Sequence, residues 1–393
     1  MDFSLTEEQT MFRDLFRAFA QKEVAKVAKH TDEMEEPPLA LLKKAAAQGF
    51  LAATVPEELS GAALDPLSYS LLLEEIAKEC MSTAVTLAVH NSLVDATLVR
   101  YGSDWQKEKW LPILAESLGG FAATEPDAGS DTSRIATRAA PSGSPVRSAG
   151  QGRRQGDGYL LSGVKTWVSN AAQAKALLVL AQTDGGPAIF IVDPTAPGVK
   201  IGLREPTTGL RGVAINTVYF DFVEVAEADR VGAEGDGLII AQAANTHLQL
   251  ALAAAALGLA EGAVALGRGF AIDRKQFGVS IATKQGLGNY FADCEIEQEA
   301  LRHLIEYAAW LASEGMDYAQ AALKAKMFGA KIARAAANLM LQVHGGYGFS
   351  DEYAISRLYR DAKALDFLGG TPQIGRVVIA QQVFADSGLA IKP

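Results

Sequence analysis

The hydrophobic period changes twice along this chain, and that alternation restricts the available folds more than any single residue does. From Ser4 onward Leu5, Met11, Phe12, Leu15, Phe16 and Phe19 recur at helical spacing, with Thr6 and Gln9 placed as a capping box. Segments 39–50, 66–80, 83–101 and 105–118 read the same way, the second with Asp65 at an N-cap and Pro66 at the first helical position. After Gly119-Gly120 the pattern gives way to short β-type runs at 159–161, 176–181, 188–192 and 218–222. Turn clusters such as Asp184-Gly185-Gly186-Pro187 and Pro194-Thr195-Ala196-Pro197-Gly198 separate them. Helical spacing returns in long segments at 237–273, 284–314, 318–343 and 371–384.

A chain of 393 residues exceeds one ordinary core. The expected fold is mainly α with a central β domain: an N-terminal helical domain over 1–118, a middle antiparallel β domain over 119–235 and a C-terminal four-helix bundle over 236–393. Apolar residues make up 49% and charged ones 21%, a globular balance. The uncharged run 237–260 is interrupted by Gln242, Asn245, Thr246, His247 and Gln249, and reads as a buried core helix, not a membrane span. The Gly-, Ser- and Pro-rich stretch 140–158 reads as a flexible hairpin loop. Its Arg147, Arg153 and Arg154 are solvated there, with a phosphate contact as the alternative.

A formal charge of −10 argues against a nucleic-acid partner, so an anionic ligand has to be met by local arginines, lysines or backbone N–H groups. Cys80 and Cys294 form no CxxC, which gives neither a disulfide framework nor a zinc site and suits a reducing compartment; no metal is expected. The N-terminus has early acids and no basic region before an apolar stretch, as expected of a cytoplasmic protein and not of a secretory signal.

Four segments have the composition of ligand-binding elements. Phe121-Ala122-Ala123-Thr124-Glu125-Pro126-Asp127-Ala128-Gly129-Ser130-Asp131 combines small residues, which let a backbone approach a planar ligand, with uncharged hydroxyls. Gly163-Val164-Lys165-Thr166-Trp167-Val168-Ser169-Asn170-Ala171 puts Trp167 and Ser169 on one face of an extended segment, one to pack on a ring system and one to bond its edge. Arg274-Lys275-Gln276-Phe277-Gly278 closes the first long C-terminal helix and Gln342-Val343-His344-Gly345-Gly346-Tyr347-Gly348-Phe349 closes the third. Such glycines serve as helix C-caps or as N–H groups facing a pyrophosphate, with Arg274 as a bidentate charge. Each has an ordinary structural reading when taken alone. No GxGxxG follows a strand, which argues against a Rossmann site.

With the stretch YRDAKALDFLGGTPQIGR at 359–376, these segments occur in the order and at about the spacing found in the acyl-CoA dehydrogenases, and the resemblance spans essentially the whole chain. It implies the same three-domain fold, a homotetramer, FAD as cofactor, an acyl-CoA substrate and an electron-transferring flavoprotein as acceptor. It places Phe121, Thr124 and Ser130 along flavin and thioester, and Trp167 and Ser169 against the isoalloxazine ring. Arg274, Gln276 and Phe277 would reach the FAD of a neighbouring subunit, where Gln342, Gly345 and Gly346 complete the adenosine-diphosphate pocket, and Thr371 and Gln373 match the remaining contacts. Ser130, Leu368, Gly369 and Gly370 would line the substrate.

One departure bears on the reaction. Where the family reads aromatic-Glu-Gly-Thr, this chain reads Leu368-Gly369-Gly370-Thr371, so the carboxylate that removes the α-proton is absent. The alternative position used by isovaleryl-type members is Leu248, and the next residue, commonly arginine, is Gln249. Three readings follow. In the first, which we favour, the chain is an α,β-dehydrogenase with a relocated base: Asp95, one turn after Asn91 on the helix that lines the family's acyl pocket, or else Asp366 or His247. A plain surface aspartate is the alternative for Asp95. The second is a desulfinase-like flavoenzyme needing no α-proton removal, although that branch's substrate arginine aligns with Thr86 here. The third is a base-less, non-catalytic subunit of a hetero-oligomer.

Overall fold

The computed structural model describes residues 4–142 and 158–385. Arg147, Arg153 and Arg154 lie outside the described residues.

The N-terminal helices are α1 (Glu7–Phe19), α2 (Ala25–Met34), α3 (Leu39–Ala47), α4 (Pro66–Glu79), α5 (Met81–Val89), α6 (Ala96–Tyr101) and α7 (Asp104–Leu114). Thr6 and Gln9 close the capping box ahead of α1, each side chain accepting the other's backbone N–H at 3.1 Å. Asp65 caps α4, accepting from the N–H groups of Leu67 and Ser68, with Pro66 at the first position. The expected helix 83–101 is helical throughout, with a π-turn, His90–Asp95, between α5 and α6, where Asn91 reaches back to donate to the carbonyls of Leu87 and Phe50.

The strands are β1 (Leu118–Ala122), β2 (Arg138–Pro141), β3 (Gly158–Ser169), β4 (Ala174–Thr183), β5 (Gly186–Val192), β6 (Val199–Arg204), β7 (Ile215–Ala226) and β8 (Arg230–Val231). The sheet runs β6-β7-β3-β2-β4-β5-β8, with β1 on β4. It is mixed: the expected antiparallel pairing holds for most neighbours, but β1 and β2 each pair parallel to β4. Parallel neighbours need long connections that period alone does not reveal.

The C-terminal helices are α8 (Gly237–Asp273), α9 (Gln285–Ser313), α10 (Ala319–His344), α11 (Ala354–Ala362) and α12 (Pro372–Val383), with a small hairpin, β9 (Lys275–Gln276) and β10 (Val279–Ser280), after α8. By length and composition α8 passes for a membrane span, yet 78% of its most apolar window is buried inside the fold. Its glycines set the close approach to α4. A Cβ on Gly258 would lie 2.0 Å from the Glu74 carbonyl oxygen, and one on Gly262 would lie 2.4 Å from that of Lys78. The bundle differs from expectation in its fourth member. α11 buries Ile355, Leu358 and Ala362, whereas α12 buries only Gly375. At nine residues α11 is short, and its apolar stripe of Ile355, Leu358 and Ala362 is too brief to stand out in a periodicity reading.

The loop between β6 and β7 ties the sheet to both helical layers. Leu210 N–H donates to Asp361 at 2.6 Å, Gly212 N–H to Ser82 at 3.3 Å, and Arg360, which also pairs with Asp32 of α2, donates to the Thr208 carbonyl at 3.2 Å.

Candidate active site between sheet and bundle

The first two ligand-type segments form one surface. β1 enters through Gly119 and Gly120, where a Cβ would meet Val94 at 2.7 Å and Leu177 at 2.8 Å. Beyond β1, the Thr166 N–H donates to the Thr124 carbonyl at 2.8 Å. Lys165 is fully buried and donates to the Ala123 carbonyl at 2.9 Å and to Glu125 at 2.7 Å, and Glu125 also accepts from the N–H groups of Ala136 and Thr137. Burial alone would raise the Glu125 carboxyl, but the bonds from Lys165, Thr137 and Ala136 outweigh it and hold the group below the usual carboxylate range.

Strict alternation along β3 fails at the tryptophan. A register shift between Lys165 and Val168, with Trp167 in the left-handed region at φ 58°, turns this indole outward to 60% exposure while Ser169 is 6% exposed. A large aromatic presented by a strained backbone beside small residues is a platform for a planar ring. Phe121 and Thr124 are partly buried next to it, and Ser130 is exposed with open space at Gly129.

The third and fourth segments also come together, at the far end of α8. The Arg274 guanidinium lies 5.4 Å from the centre of the Tyr347 ring, and Phe270 stacks on His344 at 4.4 Å. Arg274, Gln276, Phe277, Gln342, Gly345 and Gly346 are all exposed, with open space where a Cβ on Gly345 or Gly346 would stand. Phe277 is 95% exposed at φ 54°. This cluster is about 37 Å along α8 from Gln249 at roughly 1.5 Å per residue, so the two ends of one helix serve separate places.

Near the start of α8 sits the 368–371 loop. Gln249 donates to the Gly369 carbonyl at 2.8 Å, Asn245 adds a 3.4 Å contact, and Lys326 of α10 donates to the Gly370 carbonyl at 2.5 Å. Gly369 and Gly370 have φ of 66° and 100°. A Cβ on Gly369 would face Leu252 at 3.1 Å, Gln249 at 3.5 Å and Lys326 Cε at 3.7 Å. Thr371 caps α12 by accepting from the Ile374 N–H, while Gln373 is exposed.

Among the sequence candidates for a base, Asp95 is not a surface residue: it is 1% exposed in the π-turn and both its oxygens lack a hydrogen-bond partner. Burial pushes its carboxyl well above the ordinary value. His90 Nε2 lies 3.4 Å away, but that ring is neutral: Nδ1 accepts from the Gly119 N–H at 3.0 Å, and Nε2 donates to the Leu114 carbonyl at 3.2 Å. Asp366 is engaged with Lys363 at 2.8 Å and Arg334 at 3.2 Å, and His247 bonds the Tyr318 hydroxyl at 2.8 Å. Leu248 belongs to the core. The group missed by sequence reasoning is Lys326, which one lysine among several on α10 does not advertise. Its burial, not its type, distinguishes it.

Three domain models of the acyl-CoA dehydrogenases match the chain: the N-terminal domain over residues 6–117, the middle domain over 120–223 and the C-terminal domain over 235–384. The chain is 36% identical over 384 residues to an acyl-CoA dehydrogenase of Bacillus subtilis, covering 96% of this chain and 98% of that one. Among solved structures, butyryl-CoA dehydrogenase of Megasphaera elsdenii superposes with a TM-score of 0.92 at 31% identity, covering 98% of this chain and 100% of that one. A chain from the work on the electron transferring flavoprotein of Acidaminococcus fermentans gives 0.92 at 34% identity, covering 98% and 99%.

Proposed function

The chain belongs to the acyl-CoA dehydrogenase family and is a flavoenzyme with FAD as its cofactor, and on that premise we propose that it catalyses α,β-dehydrogenation of an acyl-CoA with a relocated base. The observation that carries the reading is the Thr166–Thr124 backbone hydrogen bond, which joins the two segments expected along the flavin beside an outward-turned Trp167.

The residues present fit FAD. Trp167 offers a bare ring face, Thr124 is bonded to the residue before it, Ser169 lies two residues on, Thr371 and Gln373 stand at the head of α12, and Phe121 and Ser130 are the further contacts that the family resemblance implies. Bound FAD would accept a hydride from the substrate β-carbon. The chain's own task is to hold the thioester against that face, through Ser130, Leu368, Gly369 and Gly370, and to exchange the α-proton. Residues 369 and 248 cannot do the latter. Two buried groups away from those positions are candidates, Asp95 in the π-turn and Lys326 under the loop.

We also propose a homotetramer in which Arg274, Gln276, Phe277, Gln342, Gly345 and Gly346 complete the FAD site of a neighbouring copy. The distance between the two ends of α8 and the bare Phe277 support this. Likeness to a butyryl-CoA dehydrogenase favours a short acyl chain, and likeness to a chain from the electron transferring flavoprotein work favours such a flavoprotein as electron partner.

Anaerobic titration with saturated short-chain acyl-CoAs tests the reading. Bleaching of the flavin band is expected. Protein that is colourless and takes up no FAD sinks the flavoenzyme assignment, and yellow protein that no saturated acyl-CoA bleaches sinks the dehydrogenation.

A further inference from the structure

Three facts meet at Gly369. The residue has no side chain, its loop is held by Gln249 and Lys326, and Lys326 Cε lies 3.7 Å from where a Cβ of Gly369 would stand, after Leu252 at 3.1 Å and Gln249 at 3.5 Å. Lys326 is 1% exposed, and its hydrogen bond goes to the Gly370 carbonyl, not to a carboxylate. A buried lysine without an acidic hydrogen-bond partner is costly, which is reason to ask what it does.

We infer that Lys326 is the residue that exchanges the substrate α-proton, in place of the carboxylate missing at residue 369. The inference rests on the dehydrogenation reading above. Geometry favours Lys326 over Asp95, since Lys326 bonds the loop itself whereas Asp95 sits in the π-turn against His90. Burial drives the Lys326 ammonium down to about 8 against the opposing pull of Asp366, so near neutral pH both proton-bearing and proton-free forms are accessible. The charged group that acts on it is Asp366, itself paired with Lys363 and Arg334. From α8 the neutral Gln249 and Leu252 face the same Gly369 position, and Asn245 stands at the same loop.

In the oxidative direction the Nζ lone pair takes the proton from Cα. The Cα–H bonding pair would become the Cα–Cβ double bond, the hydride leaving Cβ with its electron pair would have FAD, when bound, as its acceptor, and the proton taken from Cα would stay on Nζ as the ammonium until it exchanges with solvent. The reductive direction runs the same transfers backwards, with the ammonium protonating Cα.

The test isolates proton transfer from redox chemistry by using acetyl-CoA, which has no β-carbon. Holoenzyme is incubated in D2O and deuterium entry at the α-carbon is followed by NMR for wild type, Lys326→Met, Lys326→Ala and Asp95→Asn. We expect Lys326→Met to lose about 10²–10⁴-fold of the exchange rate while keeping its FAD absorbance. Methylamine is expected to restore exchange in Lys326→Ala, which a merely structural lysine would not allow. A separate readout needs no substrate: melting temperature should rise from pH 8 to 10 more in wild type than in Lys326→Met, because the folded lysine sheds its proton earlier than the unfolded one. Wild-type exchange in Lys326→Met, or loss in Asp95→Asn alone, overturns the assignment and leaves dehydrogenation standing. Bleaching absent from wild type with every saturated acyl-CoA overturns dehydrogenation itself.

Discussion

Gln249 Nε2 donates to the carbonyl oxygen of Gly369 at 2.8 Å, so a neutral amide grips the loop from which the carboxylate is missing. What joins α8 to the loop at this point is an uncharged hydrogen bond. The nearest full charge is Lys326, one peptide further on. On the assignment proposed above, the acid–base group stands on α10 while the loop keeps its hydrogen bonds to α8.

Gln249→Leu removes that donor at nearly constant volume. Gly369 O then keeps only the 3.4 Å contact from Asn245. The expected result is a stability loss of about 1 kcal/mol in urea melts and a weaker flavin response to acyl-CoA, because the loop loses its register. An unchanged response would show that the amide does not position the loop.

Placing a carboxylate at residue 369 should be unfavourable. Gly369→Glu places a side chain at φ 66° and brings its Cβ to 3.1 Å from Leu252, which together cost on the order of 1–3 kcal/mol. Its carboxylate would also pair with Lys326 and raise that ammonium toward the ordinary lysine value. The pH profile of α-proton exchange should therefore move, and an unmoved profile counts against Lys326 as the acid–base group.

Lys165→Met leaves Glu125 buried with its two backbone N–H partners and no cation. Such a break typically costs about 3–5 kcal/mol, and Lys165→Met with Glu125→Gln should recover most of it. Since this pair fixes the Thr124–Thr166 contact, weaker FAD retention on gel filtration should accompany the single change and not the double one.

Acid should weaken the fold through His90. Burial lowers this ring from 6.5 to about 4, against hydrogen bonds with the Leu51 and Leu114 carbonyls that favour the charged form. A depressed folded pKa means that the unfolded chain binds the proton first. The contribution is whole above about pH 6.5 and disappears as pH falls toward 4, amounting to on the order of 3 kcal/mol. Melting temperatures from pH 7.5 to 4.5 should fall more steeply in wild type than in His90→Leu. His247, also lowered to about 4, accounts for part of the remaining slope.

Phe277→Asp should leave the monomer fold intact, since that ring is 95% exposed, yet lower both oligomer size by light scattering and FAD affinity. Normal assembly with full FAD content would argue against a cross-subunit role for the Arg274–Phe277 segment.

Local rules carried much of the architecture. Apolar spacing located α8 at Gly237–Asp273, and cap residues located the starts of α1 and α4, because a helix and its ends are set within a few residues of chain. The glycine and tryptophan segments were legible as ligand surface for the same reason: their chemistry is written locally. Period could not reveal the parallel pairing of β1 and β2 with β4, nor that α11 and not α12 fills the bundle, since both depend on contacts between distant parts. Asp95 is the clearest case: helical spacing allows it to face water or core with equal ease, and only packing around the π-turn buries it. Lys326 stands 44 residues from the Gly370 carbonyl that it bonds. The sequence by itself determined that a carboxylate is absent from residue 369. Which group stands next to the gap was decided by tertiary structure, because only the packing of α10 under the loop removes that lysine from water and makes its proton labile.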